Sequence, residues 1–240
     1  MQFYRHLGPI KAMTFDLDDT LYDNRPIIRQ VEAQMVAWLH KYHPISAIKP
    51  LSWWYHIKRE VAQEDTWLPN DVTLWRYKQI ERGLSLLGYE PKQAEQAATE
   101  AIEEVLRLRS NFSVPQTAHE VLQKLSARLP LVAITNGNVD VERIGLDPYF
   151  SAVLKAGPDG YAKPHTELFD KAAHHLKLPK ESILHVGDHL VTDVIGAKNS
   201  GFSSCWFNGE QQDIFSHVKA KVLPDVEVRC LKELLLFIER

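Results

Sequence analysis

The chain has 240 residues, 45% of them hydrophobic and 25% charged, which is the usual balance of a globular protein. Its 28 basic and 31 acidic side chains give a net charge of −3 with no basic cluster, which excludes the usual signature of a nucleic-acid-binding protein. No apolar run reaches the ~18–20 residues of a membrane span, the first residues lack a signal-peptide pattern, and two cysteines cannot build a disulfide framework. We therefore expect a cytoplasmic protein of one or two domains, with no nucleic-acid or membrane partner and no obligate protein partner.

The first half of the chain contains one strand pattern followed by several helical ones. Residues 10–17 form a short apolar run that ends in an acidic cluster, which predicts a buried strand and a loop. From residue 25 to about 110, apolar side chains recur at helical spacing in four segments; Asp71 is suited to cap the third segment and Pro91 to open the fourth. Four helices without an intervening strand predict a bundle, so we expect residues 22–112 to form a four-helix cap domain inserted into the chain.

The remainder of the chain alternates short apolar runs with amphipathic segments of about ten residues. This alternation predicts βαβ units and a parallel sheet. The expected strands are 131–134, 152–154, 183–186 and 203–207, and the expected helices are 116–128, 166–176, 190–200 and one near 231–239. We therefore expect an α/β core domain, made of residues 1–21 and 113–240, with a Rossmann-like parallel sheet.

Reactive side chains follow the predicted strands at the points where the strands end. They are Asp16 and Asp18 after the first strand, Thr135 after the second and Asp188 after a later one, with Lys163 and Asp193 in neighbouring turns. Because ligands bind outside the carboxyl ends of the strands in an open parallel sheet, we expect one site. Clustered carboxylates repel one another unless a hard cation lies among them, and Mg²⁺ is the usual one. Mg²⁺ beside a lysine and a threonine suits a phosphoryl group.

These residues resemble the motifs of the haloacid dehalogenase-like (HAD) superfamily of phosphotransferases. Four motifs occur in the superfamily's order: DLDDT at 16–20 for DxDxT, Thr135-Asn136, Lys163-Pro164 after Gly160, and GDHLVTD at 187–193 for GDxxxxD. The insertion between the first two motifs resembles the superfamily's type-1 cap, so the resemblance covers essentially the whole chain. His165 departs from the acidic or small residue that is common after the Lys-Pro pair, and this departure touches no assigned role.

The resemblance implies a role for each of these residues. Asp16 would be the nucleophile that forms an aspartyl phosphate, and Asp18 would protonate the leaving oxygen and later accept a proton from the hydrolytic water. The phosphate-binding groups would be the side chains of Thr135 and Lys163 and the backbone N–H groups of Asp19 and Asn136. Mg²⁺ would be held by Asp16, the backbone carbonyl of Asp18, Asp188 and Asp193, the last either directly or through water.

The residue two positions after the nucleophile separates the subclasses that the resemblance allows. Cation-pumping ATPases carry threonine there, and dehalogenases lack the acid and need no metal, whereas this chain has Asp18. An acid at this position suits a poor leaving group that needs a proton, such as the alcohol of a phosphate monoester. The resemblance therefore implies a Mg²⁺-dependent phosphatase that acts on a small phosphorylated metabolite.

The overall sequence is similar to bacterial HAD phosphatases of the riboflavin pathway. These enzymes act on flavin mononucleotide and 5-amino-6-(5-phosphoribitylamino)uracil, which the resemblance implies as the substrate class. Five of the six tryptophans lie in the insertion, and we expect Trp53 and Trp67 to be partly exposed there and available to stack on a planar ring. A phosphosugar, nucleotide or phosphoglycolate phosphatase is a same-fold alternative, and a phosphoacceptor signalling domain is a remote one because it needs no large insertion.

Overall fold

The computed structural model describes residues 1–238 and divides into two compact units. The first, which we name the core unit, comprises Met1–Asn24, Ser113–Gly137 and Val141–Arg240. The second, which we name the helical unit, comprises Arg25–Phe112 together with Asn138–Asp140. Among the described residues, none of the helices combines the length and the apolar composition that crossing a membrane requires.

The core unit is built on a seven-stranded sheet. In chain order the strands are β1 (Gln2–Phe3), β2 (Ala12–Phe15), β3 (Leu131–Thr135), β4 (Ala152–Lys155), β5 (Ile183–Gly187), β6 (Ser203–Phe207) and β7 (Val226–Val228). Their order across the sheet is β1-β7-β6-β5-β2-β3-β4, and every pair is parallel except β1 with β7. The central strands β2, β3 and β5 are buried along their whole length, as expected for parallel strands with both faces covered.

Strand register brings the ends of the three central strands to the same edge of the sheet. Phe15, the last residue of β2, is in register with Ala133 of β3 and Val186 of β5. The residues that follow these positions therefore leave the sheet side by side. This edge is the carboxyl edge at which ligands bind in parallel α/β sheets.

Within residues 1–238, three α-helices accompany this sheet, and two of the predicted helices are not regular α-helices. The α-helices of the core unit are α5 (Gln116–Ser126), α6 (Glu167–Leu176) and α7 (Gly196–Asn199). The helix predicted over 190–200 is present but has two parts: Leu190–Ile195 is a π-helix turn, in which two backbone N–H groups bond to the carbonyl of His189, and α7 follows it directly. The helix predicted near 231–239 is a 3₁₀ helix over Leu231–Phe237, and residue 239 lies outside the described residues.

Four α-helices form the helical unit, as the spacing of apolar residues predicts. They are α1 (Asn24–Tyr42), α2 (Leu51–Glu64), α3 (Val72–Leu86) and α4 (Pro91–Arg109). Asp71 caps α3 by accepting hydrogen bonds from the N–H groups of Thr73 and Leu74, and Pro91 opens α4. The Trp54 ring of α2 lies against Gly83 of α3, where an added Cβ would come within 2.1 Å of the indole. Only glycine permits this approach of the two helices.

Candidate active site

A buried lysine lies between two buried aspartates at the carboxyl edge of the sheet. The Lys163 Nζ atom lies 2.7 Å from Oδ1 of Asp16, which directly follows β2, and 2.7 Å from Oδ1 of Asp193. It also donates to the carbonyl oxygen of Ile134 at 2.6 Å. Burial alone would lower the pKa of Lys163, but the two carboxylates raise it above its ordinary value, so this side chain is a fixed cation.

The carboxylates at this edge carry more negative charge than one lysine can balance. Oxygen atoms of Asp16, Asp188 and Asp193 lie within 4.8 Å of one another. Burial raises the pKa of Asp16 well above its ordinary value, against the opposing effect of Lys163. Burial also raises the pKa of Asp188 to about 7, and the charges of Asp193 and Asp19 add to this effect. Burial and mutual repulsion both disfavour the ionised form of these carboxyl groups. A hard divalent cation bound among their oxygens would offset both effects, so the cluster fits such a cation.

A buried histidine, which the motifs did not reveal, orients one of these carboxylates. His185 in β5 places Nε2 3.2 Å from Oδ1 of Asp193 and Nδ1 2.8 Å from the hydroxyl of Thr14. Burial lowers the pKa of His185, so its ring is a neutral hydrogen-bonding group. The backbone N–H of His189 donates to the other oxygen of Asp193 at 3.0 Å. The signal in the sequence was a lone histidine within the apolar run Ile183–Val186.

The side chains of Asp18 and Thr135 both lie close to the backbone of Gly137. The Asp18 carboxylate accepts a hydrogen bond from the Tyr22 hydroxyl at 2.7 Å through Oδ1. A Cβ at Gly137 would lie 2.6 Å from the other oxygen of Asp18 and 3.3 Å from the Thr135 hydroxyl oxygen. That hydroxyl already accepts the Gly137 N–H at 2.9 Å, which leaves its proton free for another acceptor. Sequence reasoning missed both Tyr22 and Gly137.

The loop after β2 is shaped by two further residues of the first motif. Asp19 adopts a left-handed conformation with φ of 57°, and its side chain accepts the backbone N–H of Asn24 at 2.8 Å. The hydroxyl of Thr20 lies 3.3 Å from Oδ1 of Asp188 and accepts that residue's backbone N–H at 3.1 Å. Thr20, the last residue of DLDDT, therefore links the loop after β2 to the loop after β5, a role that sequence reasoning left unassigned.

Asn136 has a second function besides the predicted backbone contact with phosphate. Its side chain accepts the backbone N–H of Lys163 at 2.8 Å and donates to the carbonyl of the same residue at 2.9 Å. This pair of hydrogen bonds positions the turn that carries the buried lysine. Residues 27 positions apart in sequence are thus locked together at the sheet edge.

Trp53 and Trp67, predicted as ring contacts, belong to the helical unit. Trp53 is half-buried against two apolar clusters of that unit, with its ring 5.1 Å from that of Trp54. Trp67 lies between α2 and α3 and is 39% exposed, so part of its ring is open. The eight other predicted site residues belong to the core unit, where the structure brings their elements to one edge of the sheet.

The comparisons with known proteins identify the family. The model of the haloacid dehalogenase-like hydrolase family matches residues 10–201. The chain belongs to the haloacid dehalogenase-like hydrolase family. The matched range contains all four motifs and the whole helical insertion.

Two relatives of this HAD hydrolase resemble it over nearly their whole length. The 5-amino-6-(5-phospho-D-ribitylamino)uracil phosphatase YigB of Escherichia coli (strain K12) is 41% identical, with 98% of each chain covered. The structure of a 2-haloacid dehalogenase from Pseudomonas syringae pv. Tomato DC3000 superposes with a TM-score of 0.90 at 32% identity, with 95% of this chain and 98% of that chain covered. A third relative, the pyrimidine 5'-nucleotidase YjjG of Escherichia coli (strain K12), is 32% identical over 40% of this chain and 45% of its own.

These comparisons confirm the predicted family and the predicted α/β fold class with a helical insertion. They also confirm the predicted enzyme class, a phosphoric monoester hydrolase. The buried acidic group could accommodate a metal ion, as its geometry indicates. The roles of the individual residues stay predictions.

Proposed function

We propose that this HAD hydrolase is a Mg²⁺-dependent phosphomonoesterase that works through an aspartyl phosphate on Asp16. The observation that carries the proposal is the contact of Asp16 with the buried Lys163 ammonium at 2.7 Å, within a group of three carboxylates. The lysine holds one oxygen of Asp16 in place, and its ammonium, together with a cation bound by the carboxylates, would offset the negative charge of a phosphoryl group. Asp18 supplies the acid–base group two residues further on.

In the first step a carboxylate oxygen of Asp16 attacks phosphorus, so that a new O–P bond forms and the ester P–O bond breaks. The leaving alcohol oxygen takes the proton of Asp18. Tyr22 positions that carboxyl group through the 2.7 Å hydrogen bond. Positioned acid catalysis of this kind contributes about 10²–10⁴-fold.

In the second step Asp18, now ionised, accepts a proton from a water molecule that attacks the aspartyl phosphate. The P–O bond to Asp16 breaks, and inorganic phosphate and the free carboxylate result. The Thr135 hydroxyl is set to donate to a phosphoryl oxygen, because the Gly137 N–H already occupies one of its lone pairs. Lys163 offsets the negative charge that the phosphoryl group shares with Asp16.

Mg²⁺ would be held by Asp16 and Asp188 directly and by Asp193 through water. Asp16 and Asp188 would offer carboxylate oxygens, together with the backbone carbonyl of Asp18. The oxygens of Asp193 already face Lys163, the His185 ring and a backbone N–H, so we expect Asp193 to support the cation through water. When bound, Mg²⁺ supplies positive charge that offsets the negative charge of the transferring phosphoryl group.

For the substrate we propose flavin mononucleotide and 5-amino-6-(5-phospho-D-ribitylamino)uracil in riboflavin metabolism. The name of the 41% identical relative supports the second compound, and Trp67 offers a partly open ring for a planar base. A phosphosugar, nucleotide or phosphoglycolate is the alternative, and the name of the pyrimidine 5'-nucleotidase relative favours the nucleotide among them. Membership of a hydrolase family leaves the phosphoacceptor signalling domain without support. The cytoplasmic location stays a prediction.

The structural neighbour named as a dehalogenase makes dehalogenation the activity to test against. Asp18 argues for phosphate, because release of chloride from carbon needs no proton donor. The decisive experiment compares the wild type with Asp16→Asn and Asp18→Asn on p-nitrophenyl phosphate, flavin mononucleotide and 2-chloropropionate, with and without Mg²⁺. Asp147→Asn, an exposed carboxylate outside the site, is the matched control.

We expect phosphate release that depends on Mg²⁺, no chloride release, and no turnover by Asp16→Asn. In single-turnover phosphorylation, Asp18→Asn should be slowed by about 10²–10⁴-fold on the alkyl ester but far less on p-nitrophenyl phosphate, whose leaving group needs no proton. Chloride release by the wild type would contradict the proposal. Turnover of Asp16→Asn within about tenfold of the wild type would remove Asp16 from the nucleophile role.

A further inference from the structure

A lysine and a histidine of the core unit face each other with hydrogen-bond donors at the carboxyl edge of the sheet. The Lys219 Nζ atom lies 3.1 Å from Nε2 of His189, the residue that directly follows Asp188. Nδ1 of His189 accepts the backbone N–H of Thr192 at 3.1 Å, so Nδ1 carries no proton and the proton of the ring is on Nε2. An ammonium group also only donates. The contact therefore joins two donors and provides neither with an acceptor.

The histidine of this pair is fixed, whereas the lysine can move. Lys219 belongs to residues 208–225, which connect β6 to β7, and Ile214 of this connection is buried against Trp206. The His189 ring is half-buried and held by its hydrogen bond to the backbone, while the Lys219 side chain is exposed and flexible. A small movement of Lys219 therefore lets a ligand oxygen accept from both side chains.

The pair lies beside the carboxylate group of the candidate active site. The Thr192 hydroxyl lies 3.1 Å from Nδ1 of His189 and 3.4 Å from Oδ2 of Asp193. The backbone N–H of His189 donates to the same oxygen at 3.0 Å. Asp193 in turn is one of the three carboxylates whose oxygens lie within 4.8 Å of one another. A group bound by the pair would thus lie next to a phosphate ester held at this edge, on the side of its leaving group.

An oxygen that carries no proton is the atom that satisfies both donors. Because Lys219 is solvated and the His189 ring is neutral, a carbonyl oxygen meets this requirement without a full negative charge. Flavin mononucleotide and 5-amino-6-(5-phospho-D-ribitylamino)uracil share a pyrimidine-2,4-dione ring that carries such oxygens, and the ribityl chain separates this ring from the phosphate. We propose that Lys219 and His189 form a specificity-determining pair that binds a carbonyl oxygen of this ring. This role rests on the proposed phosphatase function.

The test compares flavin mononucleotide with D-ribitol 5-phosphate, which has the same phosphate and chain but no ring. Lys219→Met should lower kcat/KM for the flavin by about tenfold or more, the usual worth of a hydrogen bond to a charged group, and change the value for the ring-free ester by less than about twofold. His189→Asn keeps an oxygen that can accept the Thr192 N–H but removes the Nε2 donor, so it should lower the flavin value by about three- to tenfold. The matched control is Lys221→Met, since Lys221 is exposed in the same connection, and it should behave as the wild type.

The affinity for flavin mononucleotide supplies a readout that does not require turnover. It is measured by flavin fluorescence in the Asp16→Asn background, where Lys219→Met should weaken it by about tenfold, while D-ribitol 5-phosphate, added as a competitor, should bind both proteins equally. The same comparison of uridine 5'-monophosphate with ribose 5-phosphate distinguishes a flavin ring from the uracil ring of a nucleotide. A wild type that releases no phosphate from any of these esters would contradict the proposed function, and the flavin affinity would still decide whether the pair binds the ring.

Three results would overturn the assignment of this pair. Equal losses of Lys219→Met on the flavin and on the ring-free ester would mean that the lysine only attracts the phosphate charge. A loss of the same size in Lys221→Met would mean that any cation of this connection has the effect. An unchanged flavin affinity in Lys219→Met would mean that the lysine does not contact the ring. Because Lys219 is exposed, its replacement should leave the fold intact, so these results are interpretable.

Discussion

Replacing Gly137 by alanine should displace Asp18 without removing any functional group. The new Cβ would lie 2.6 Å from a carboxylate oxygen of Asp18, whereas ordinary contacts begin at 3.4 Å. The carboxylate must therefore retreat by about 0.8 Å. Gly137 is not among the glycines with positive φ, so alanine fits its backbone and the protein should fold.

The size of the expected effect follows from this displacement. An error of about 1 Å in the position of a catalytic group can cost about 10²-fold in rate. The hydrogen bond from Tyr22 to Asp18, 2.7 Å long, resists the movement and keeps part of the geometry. We therefore expect Gly137→Ala to lower kcat/KM for an alkyl phosphate by about 10–100-fold.

The assay is single-turnover phosphorylation of Gly137→Ala with an alkyl phosphate and with p-nitrophenyl phosphate. The alkyl ester should be affected much more, because its leaving group needs the proton of Asp18 and nitrophenolate does not. Gly8→Ala is the matched control, since nothing lies within 4 Å of an added Cβ at Gly8. The control should retain wild-type rates on both substrates.

Two outcomes would refute this reasoning. Wild-type rates of Gly137→Ala on both substrates would mean that the position of the Asp18 carboxylate does not limit leaving-group protonation. Equal losses on both substrates would point to general damage to the phosphate site, which the 3.3 Å approach of the same Cβ to the Thr135 hydroxyl would explain. Urea unfolding of the variant distinguishes such damage from loss of stability.

Three further predictions concern the cation site, the buried lysine and the tryptophans. Because the pKa of Asp188 is raised to about 7, protons compete with Mg²⁺ for this carboxylate below that pH. Mg²⁺ affinity measured by titration should therefore fall about tenfold between pH 8 and pH 6. An unchanged affinity would contradict the assignment of Asp188 as a Mg²⁺ ligand. Lys163→Met leaves two buried carboxylates without their cation and should lower the free energy of unfolding by about 3 kcal/mol at pH 8. That loss should shrink towards pH 5, because the two carboxyl groups, whose pKa values are raised once the lysine is gone, destabilise the folded variant only at a pH above those values. Equal losses at both pH values would contradict the assignment of the loss to unpaired buried carboxylates. Trp53→Ala or Trp67→Ala should lower kcat/KM for flavin mononucleotide by about 5–150-fold, with a small ring-free phosphate as the comparison substrate, and equal effects on both substrates would exclude stacking at these positions.

Much of the element order could be predicted from the sequence because local patterns carry it. Helical spacing of apolar residues revealed the four helices of the helical unit, and the capping contacts of Asp71 confirm the predicted start of α3. The strands β1 and β7 were missed because two or three residues are too few to show a pattern. The π-helix turn at Leu190–Ile195 was missed because its spacing resembles that of an α-helix over so short a segment.

For the candidate site as well, some features could be predicted from the sequence and others could not. The sequence by itself determined the motif residues and their places after the predicted strands, since residue types and local spacing suffice for that. Only the tertiary structure decided that Lys163 contacts Asp16 and Asp193, that His185 orients Asp193, and that Gly137 packs against Asp18. The physical reason is that hydrogen bonds and steric contacts depend on distances of a few tenths of an ångström between residues far apart in the chain, and parallel pairing of β2 with β3 and β5 is what sets those distances.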